Sequence, residues 1–202
     1  MPMSPGPAAV NVVYGATGAG KTALIARLLA LRPRDERWAV LQNDFGAGDL
    51  AGAPGTAEGA VIVRAVSGCI CCTARVALRS GIIALLRESR PQRLLIEASS
   101  AAEPRAIAAV LREPGVAGAL NMSASLCVVS ARHLEDARYI ANEVYRQQLA
   151  AADAIVTGGD MAKSYSDMRA VLLKLTQPGR AVIDIAAVDP GSLDQPARSG
   201  CS

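Results

Sequence analysis

The chain has 202 residues, 51% of them hydrophobic and 3% aromatic, with a formal net charge of +3. That length and apolar content suffice to bury a core, which excludes a disordered polypeptide and makes one domain the economical organisation. Scattered rather than clustered basic residues and a scarcity of rings give no reason to expect nucleic acid as a partner, and no run approaches the roughly 18 uncharged apolar residues that span a bilayer.

In chain order, residues 1–8 are expected to form a disordered leader. Apolar runs bounded by Gly, Pro, Asn or Asp then follow at Ala9–Tyr14, Trp38–Gln42, Ala60–Val66, Leu94–Ala98, Ser125–Val129, Ala154–Val156 and Ala181–Ile185. Most lack clean polar alternation, as strands covered on both faces do. The run at 60–66 is less clear and fits an edge or antiparallel strand. Between the runs, Thr22–Leu31, Thr73–Arg87, Glu103–Leu111, His133–Ala151 and Met161–Leu175 carry apolar residues at spacings of three and four, which predicts helices. Pro33, Pro91, Pro114 and Pro178 follow four of them as stops. The alternation predicts an α/β fold, a mostly parallel sheet with helices on both faces in a three-layer αβα arrangement, over residues 9–188. The glycine-rich stretch at 46–59 is too long for a simple turn and is expected to be functional or mobile. Residues 189–202 are expected to be a flexible tail.

Residues 15–22, GATGAGKT, fit G-x-x-x-x-G-K-[ST] between a strand and a helix, the context that a P-loop requires. Glycines at Gly15, Gly18 and Gly20 let the chain curl so that successive N–H groups point at phosphate oxygens. Ala19 and Ala23 lie in the same cradle, and the following helix adds its positive end. Lys21 then reaches the β- and γ-phosphates, and the Thr22 hydroxyl binds Mg²⁺. An acid for that magnesium is expected at the end of a neighbouring strand. Glu97, closing LLIE at 94–97, stands at such a position, with opening of the next loop or pairing with Arg as the alternatives.

Three of the five cysteines, Cys69, Cys71 and Cys72, fall within SGCICCT at 67–73, after a strand and before a helix. With no basic leader ahead of an apolar stretch, the expected location is cytoplasmic, where clustered thiols serve metal or redox chemistry more readily than disulfides. Three thiolates suit Zn²⁺ or a similar ion and leave one coordination position open. Redox chemistry and plain packing are the alternatives. Cys127 is expected in the core, Cys201 to be incidental, and His133, the one histidine, to lie at the surface or cap a helix, with a metal role as the alternative.

The phosphate loop, QNDFGAGDL at 42–50, GCICCT at 68–73 and LLIEASSAAEP at 94–104 stand in that order over about residues 10–185. In this the sequence resembles the CobW-type P-loop GTPases, metallochaperones related to the HypB and UreG maturation proteins. The resemblance implies GTP binding, slow Mg²⁺-dependent hydrolysis, and zinc or cobalt carried at Cys69, Cys71 and Cys72 for a client protein, with Lys21, Glu97 and Asp44 in catalytic roles. A homodimer that completes the metal's coordination sphere is compatible with three thiolates and one vacancy. The C-terminal domain of longer members is expected to be missing.

The chain departs from that family at several positions. Gln42 and Ala47 replace carboxylates beside the Asn-x-Phe-Gly core, with Asp44 and Asp49 nearby. Ser100 stands where the family has a glycine whose N–H meets the γ-phosphate. The guanine-reading N-K-x-D reads Thr157-Gly158-Gly159-Asp160, which keeps the aspartate that reads guanine and loses the lysine, and Ser130 replaces an aspartate. These departures support a second expectation, a degenerate nucleotide-binding metal or redox sensor with little turnover. A small-molecule kinase is the third, although it leaves the cysteines unexplained.

Overall fold

The structure, a computed structural model, describes residues 6–42, 50, 61–65, 73–158, 171, 172, 175, 176 and 180–194. Strands β1 (Ala8–Gly15), β2 (Trp38–Gln42), β3 (Val61–Ala65), β4 (Arg93–Glu97), β5 (Leu120–Met122), β6 (Leu126–Val129), β7 (Ala154–Thr157) and β8 (Ala181–Asp184) form one sheet in the order β3-β2-β4-β1-β6-β7-β8. Every pairing in it is parallel. β5 and β6 lie along successive stretches of β1, at Ala8–Val10 and Val13–Gly15, so eight strands fill seven positions. The α/β class predicted from the alternation is therefore correct, and β3 is an edge strand in parallel pairing.

β1 shows why the runs lack alternation. Val10, Val12 and Tyr14 point into one apolar cluster with Ile82, Ile107 and Leu149, whereas Val13 points into another with Leu24, Ile25, Leu28 and Leu29. The first cluster is capped by α2 (Thr73–Ser89), α3 (Pro104–Leu111) and α6 (Glu143–Ala151), and the second by α1 (Lys21–Leu31). Both faces of the central strands are thus covered, and Asn11 in the middle of β1 is a buried polar exception.

Three sequence expectations change. The predicted helix His133–Ala151 is three helices, α4 (Ala131–Glu135), α5 (Ala137–Ala141) and α6. Asp136 and Asn142 break it, because their carboxylate and carboxamide accept from the Arg138 and Tyr145 backbone N–H and so start new helices. Ala8, expected in the leader, pairs with Leu120 in the sheet. The tail does not fray at Asp189. Pro190–Leu193 forms a 3-10 turn closed by a capping box between Asp189 and Ser192, and Leu193 is buried.

A polar pin holds that last turn. Asn11 Nδ2 donates to the carbonyls of Ala124 (2.8 Å) and Leu193 (2.9 Å), and Arg93 Nη1 donates to Asn11 Oδ1 at 2.7 Å. Arg93 also pairs with Asp194 and lies 5.2 Å from the Trp38 ring centroid. Of the predicted helix Met161–Leu175 and the stretch 46–59, only residues 50, 171, 172 and 175 are described, with Leu50 and Leu172 in the core.

Candidate phosphate-binding site

β1 delivers its chain end at Gly15 into the phosphate loop, and α1 begins at Lys21. Two glycines set the curl. Gly15 has φ +140°, and a Cβ there would lie 2.5 Å from the Val128 carbonyl oxygen of β6. Gly20 caps α1 at φ +108° in the left-handed region, where a side chain is strained and where glycine supplies no side-chain cap to compete for the first helical N–H groups. The cradle is thus built for a close backbone approach by an anion at a helix N-terminus.

Lys21 is only 3% exposed, an unusual place for an ammonium group. Its Nζ donates to the carbonyls of Gly15 (3.0 Å) and Ala16 (3.1 Å), folding across the loop's own crown. Thr22 Oγ1 donates to Glu97 Oε1 at 2.6 Å, and Gln42 Nε2 donates to Glu97 Oε2 at 2.9 Å. Glu97 is fully buried at the end of β4, so the strand register that pairs Gln42 with Glu97 and Val13 with Glu97 fixes its carboxylate beside the loop. A hydroxyl and a carboxylate side by side are hard oxygen donors of the kind that Mg²⁺ takes. Gln42, read as a lost carboxylate, in fact holds the second oxygen of Glu97.

The rim is polar and connected. Thr17 Oγ1 donates to Ser100 Oγ at 2.9 Å, joining the crown to the loop after β4. The guanidinium of Arg132, at the start of α4, donates to the Gly18 carbonyl. His133 is buried rather than at the surface, with Nδ1 2.6 Å from Ser130 Oγ and its ring edge-on to Tyr139 at 4.5 Å between centroids. Burial holds its pKa below the ordinary 6.5, helped by the charges of Arg132 and Lys21, while a hydrogen bond to the Thr17 backbone and the Asp136 carboxylate pull the other way. Nor does His133 cap a helix: it lies inside α4, whose N-cap is Ser130.

The described residues place Gly15, Gly18, Ala19, Gly20, Lys21, Thr22 and Ala23 in one loop and first helical turn, with Thr22 bonded to Glu97. Asp44, Asp49, Cys69, Cys71, Cys72, Asp160 and Cys201 lie outside the described residues. Among the described residues, no group of three or more His, Cys, Asp or Glu is placed to hold a metal, and no helix is long and apolar enough to cross a membrane. Gly158 packs beneath Ile185, whose Cδ1 is 3.4 Å from where a Cβ would stand. Cys127 is buried in β6, as expected, and burial pushes its thiol up to about 12.

Sequence reasoning missed Gln148. On α6 the buried positions are Tyr145, Gln148 and Leu149, so a carboxamide occupies an inward face. Its Oε1 accepts from the Gly15 N–H at 3.2 Å, and its Nε2 donates toward the carbonyls of Ser99 (3.2 Å), Ser100 (3.3 Å) and Ala102 (2.8 Å). The legible signal was a polar residue on an apolar helical stripe.

Known proteins resemble the chain in sequence and in fold. The chain is 39% identical over 146 residues to the zinc chaperone YeiR of Escherichia coli strain K12, covering 72% of this chain and 44% of that protein. It is 28% identical over 190 residues to the zinc chaperone CobW of Sinorhizobium sp., covering 80% and 53%. The chain thus spans about half the length of these curated relatives. Its fold is that of the hydrogenase maturation factor HypB from Archaeoglobus fulgidus (TM-score 0.59, 22% identity, 93% of this chain and 84% of that one). The Zn(II)-bound YjiA GTPase from E. coli shares it too (TM-score 0.56, 22% identity, 82% and 54%). Residues 9–180 match the CobW/HypB/UreG nucleotide-binding domain, and the chain belongs to that family.

Proposed function

We propose that this chain binds GTP with Mg²⁺, hydrolyses it slowly, and uses the nucleotide state to govern zinc or cobalt held by Cys69, Cys71 and Cys72 for delivery to a client protein. The observation that carries the nucleotide half is the convergence of buried Lys21, Thr22 and Glu97 around a glycine-built cradle. The metal half is supported by the G-C-x-C-C sequence and by the names of the zinc chaperones to which the chain is similar.

The residues divide the work. Loop amides and the N-terminus of α1 bind the phosphates, and Lys21 turns from the Gly15 and Ala16 carbonyls to the β- and γ-phosphates. Thr22 and Glu97 hold Mg²⁺, which when bound neutralises charge that develops on the phosphates. Catalysis is positioning and charge neutralisation rather than covalent chemistry, with Asp44 as a further acid. Asp160 reads the guanine. The metal is cargo, carried in a cytoplasmic setting, and a second protomer that shares the ion completes its coordination sphere.

The test is phosphate release from GTP and from ATP with Mg²⁺, beside Lys21→Ala. The proposal expects slow release from GTP that Lys21→Ala abolishes together with tight nucleotide binding. Undiminished affinity in Lys21→Ala, measured by calorimetry, contradicts the assignment of the loop. Two observations favour a second reading, a sensor with little turnover: Gln42 is a carboxamide on Glu97, and Ser100 replaces a more permissive glycine. That reading expects nucleotide affinity without metal-stimulated phosphate release.

A further inference from the structure

We propose that Gln148 is a positioning residue that yokes the phosphate loop to the loop at 98–103, so that nucleotide in the cradle and the placement of that loop are linked through one side chain. The inference rests on the nucleotide-binding reading above. It begins from burial: Gln148 is fully enclosed, and its carboxamide spends both ends on loops rather than on its own helix.

The acceptor end sits on a fixed point. Gly15 is held in the ladder beside Val128 of β6, with no room for a Cβ between them, and its N–H is what Gln148 Oε1 receives. The donor end faces three carbonyls, those of Ser99, Ser100 and Ala102, although an NH₂ group has two hydrogens. Three acceptors competing for two donors let the loop exchange partners as it moves while the buried amide stays satisfied. Two acceptors would satisfy the group, so the third within reach is one more than it can serve at a time.

The loop it holds also touches the cradle. Ala98 N–H bonds to the Val13 carbonyl at 2.9 Å where the loop leaves β4, directly after Glu97. Ser100 then meets Thr17 of the crown through the 2.9 Å hydroxyl contact. That outer link is exposed and open to competition from water, whereas Gln148 is fully buried, its bond to Gly15 is buried and those to the loop are part-buried. A phosphate arriving at the crown must therefore rearrange Thr17 and Ser100 beside a loop whose inner side is tied to Gly15 through α6. Ordering of a loop by a terminal phosphate is a common way for nucleotide state to be read out.

Two variants separate the ends. Gln148→Glu keeps an acceptor for Gly15 and removes the donors, and Gln148→Met removes both at similar size. Hydrogen–deuterium exchange of the full chain is followed in peptides covering 98–103 and Gly15, without nucleotide, with GDP–Mg²⁺ and with a non-hydrolysable GTP analogue–Mg²⁺, and both nucleotide affinities are measured. The proposal expects the ratio of the two affinities to change by at least about fivefold, the lower end of ordinary coupling between sites, in both variants. It also expects nucleotide-dependent protection of 98–103 to vanish. Affinities that fall by one common factor, with protection of 98–103 still responding to nucleotide, overturn it. If the parent binds neither nucleotide, the function proposed above fails, and the exchange without nucleotide decides the yoke by itself. Faster exchange at 98–103 with Gly15 still slow in Gln148→Glu, against both fast in Gln148→Met, supports it; matched behaviour of the two variants overturns it.

Discussion

Thr22 gives its hydroxyl hydrogen to Glu97 across 2.6 Å, which ties the first turn of α1 to the end of β4. A hydrogen bond to a charged group contributes about 1.5–3 kcal/mol. Thr22→Val should therefore lower the Mg²⁺-dependent part of nucleotide affinity by roughly ten- to a hundredfold, and Thr22→Ser should restore most of it. Nucleotide titrations with Mg²⁺ and with chelator check this. An equal loss in chelator would mean that the hydroxyl serves the loop and not the metal.

Gly15→Ala should destabilise the fold. The new Cβ would stand 2.5 Å from the Val128 oxygen in a backbone conformation that L-residues avoid, so the cost is about 2–5 kcal/mol from strain and overpacking. Gly118→Ala, where nothing lies within 4 Å, is the internal control and should move stability by about 0.5 kcal/mol or less. Denaturant midpoints of the two variants compare them directly, and matched midpoints would contradict the close approach of β1 and β6.

His133 is the chain's one histidine, so its titration is free of overlap. Its folded pKa lies below the ordinary 6.5, chiefly through burial, so between the two values the unfolded chain binds the proton and the folded chain does not. Stability from this group is complete above pH 6.5 and is lost as pH falls below 6.5 toward the folded pKa. His133→Gln should flatten that fall. Melting temperatures of parent and variant in steps from pH 8 to pH 5.5 test it, and identical slopes would show that His133 does not titrate against the fold.

Cys127 should stay inert. Burial pushes its thiol up to about 12, outweighing the opposing charges of Lys21 and Arg180, so almost no thiolate exists at neutral pH. Alkylation of the native protein at pH 8, mapped by mass spectrometry, should leave Cys127 unmodified until denaturant is added. Prompt labelling at Cys127 would mean that β6 opens far more readily than its packing implies.

Much of the fold and half of the site were readable from the chain, for reasons that differ from residue to residue. The phosphate loop was legible because glycine conformations, Lys21 and Thr22 are local demands written in consecutive letters. Glu97 was legible because a strand in a parallel sheet presents its last residue at the ligand end. Gln148 was not, since its partners are 133 residues away at Gly15 and 46 away at Ala102, and no local pattern encodes such a meeting. The breaks at Asp136 and Asn142 were legible as N-cap residues but hidden inside a run whose apolar spacing continued through them. β5 is only three residues, Leu120–Met122, with two of them exposed, too short to show a hydrophobic pattern.

The central claim is that nucleotide governs metal. Zinc affinity of the reduced protein, measured by competition with a chromophoric chelator without nucleotide, with GDP and with a non-hydrolysable GTP analogue plus Mg²⁺, tests it most directly. The account predicts a nucleotide-dependent change of tenfold or more, roughly 1.4 kcal/mol of coupling, that disappears when Cys71 and Cys72 are changed to serine. Tight zinc binding that ignores nucleotide, or no zinc binding at all, would contradict it.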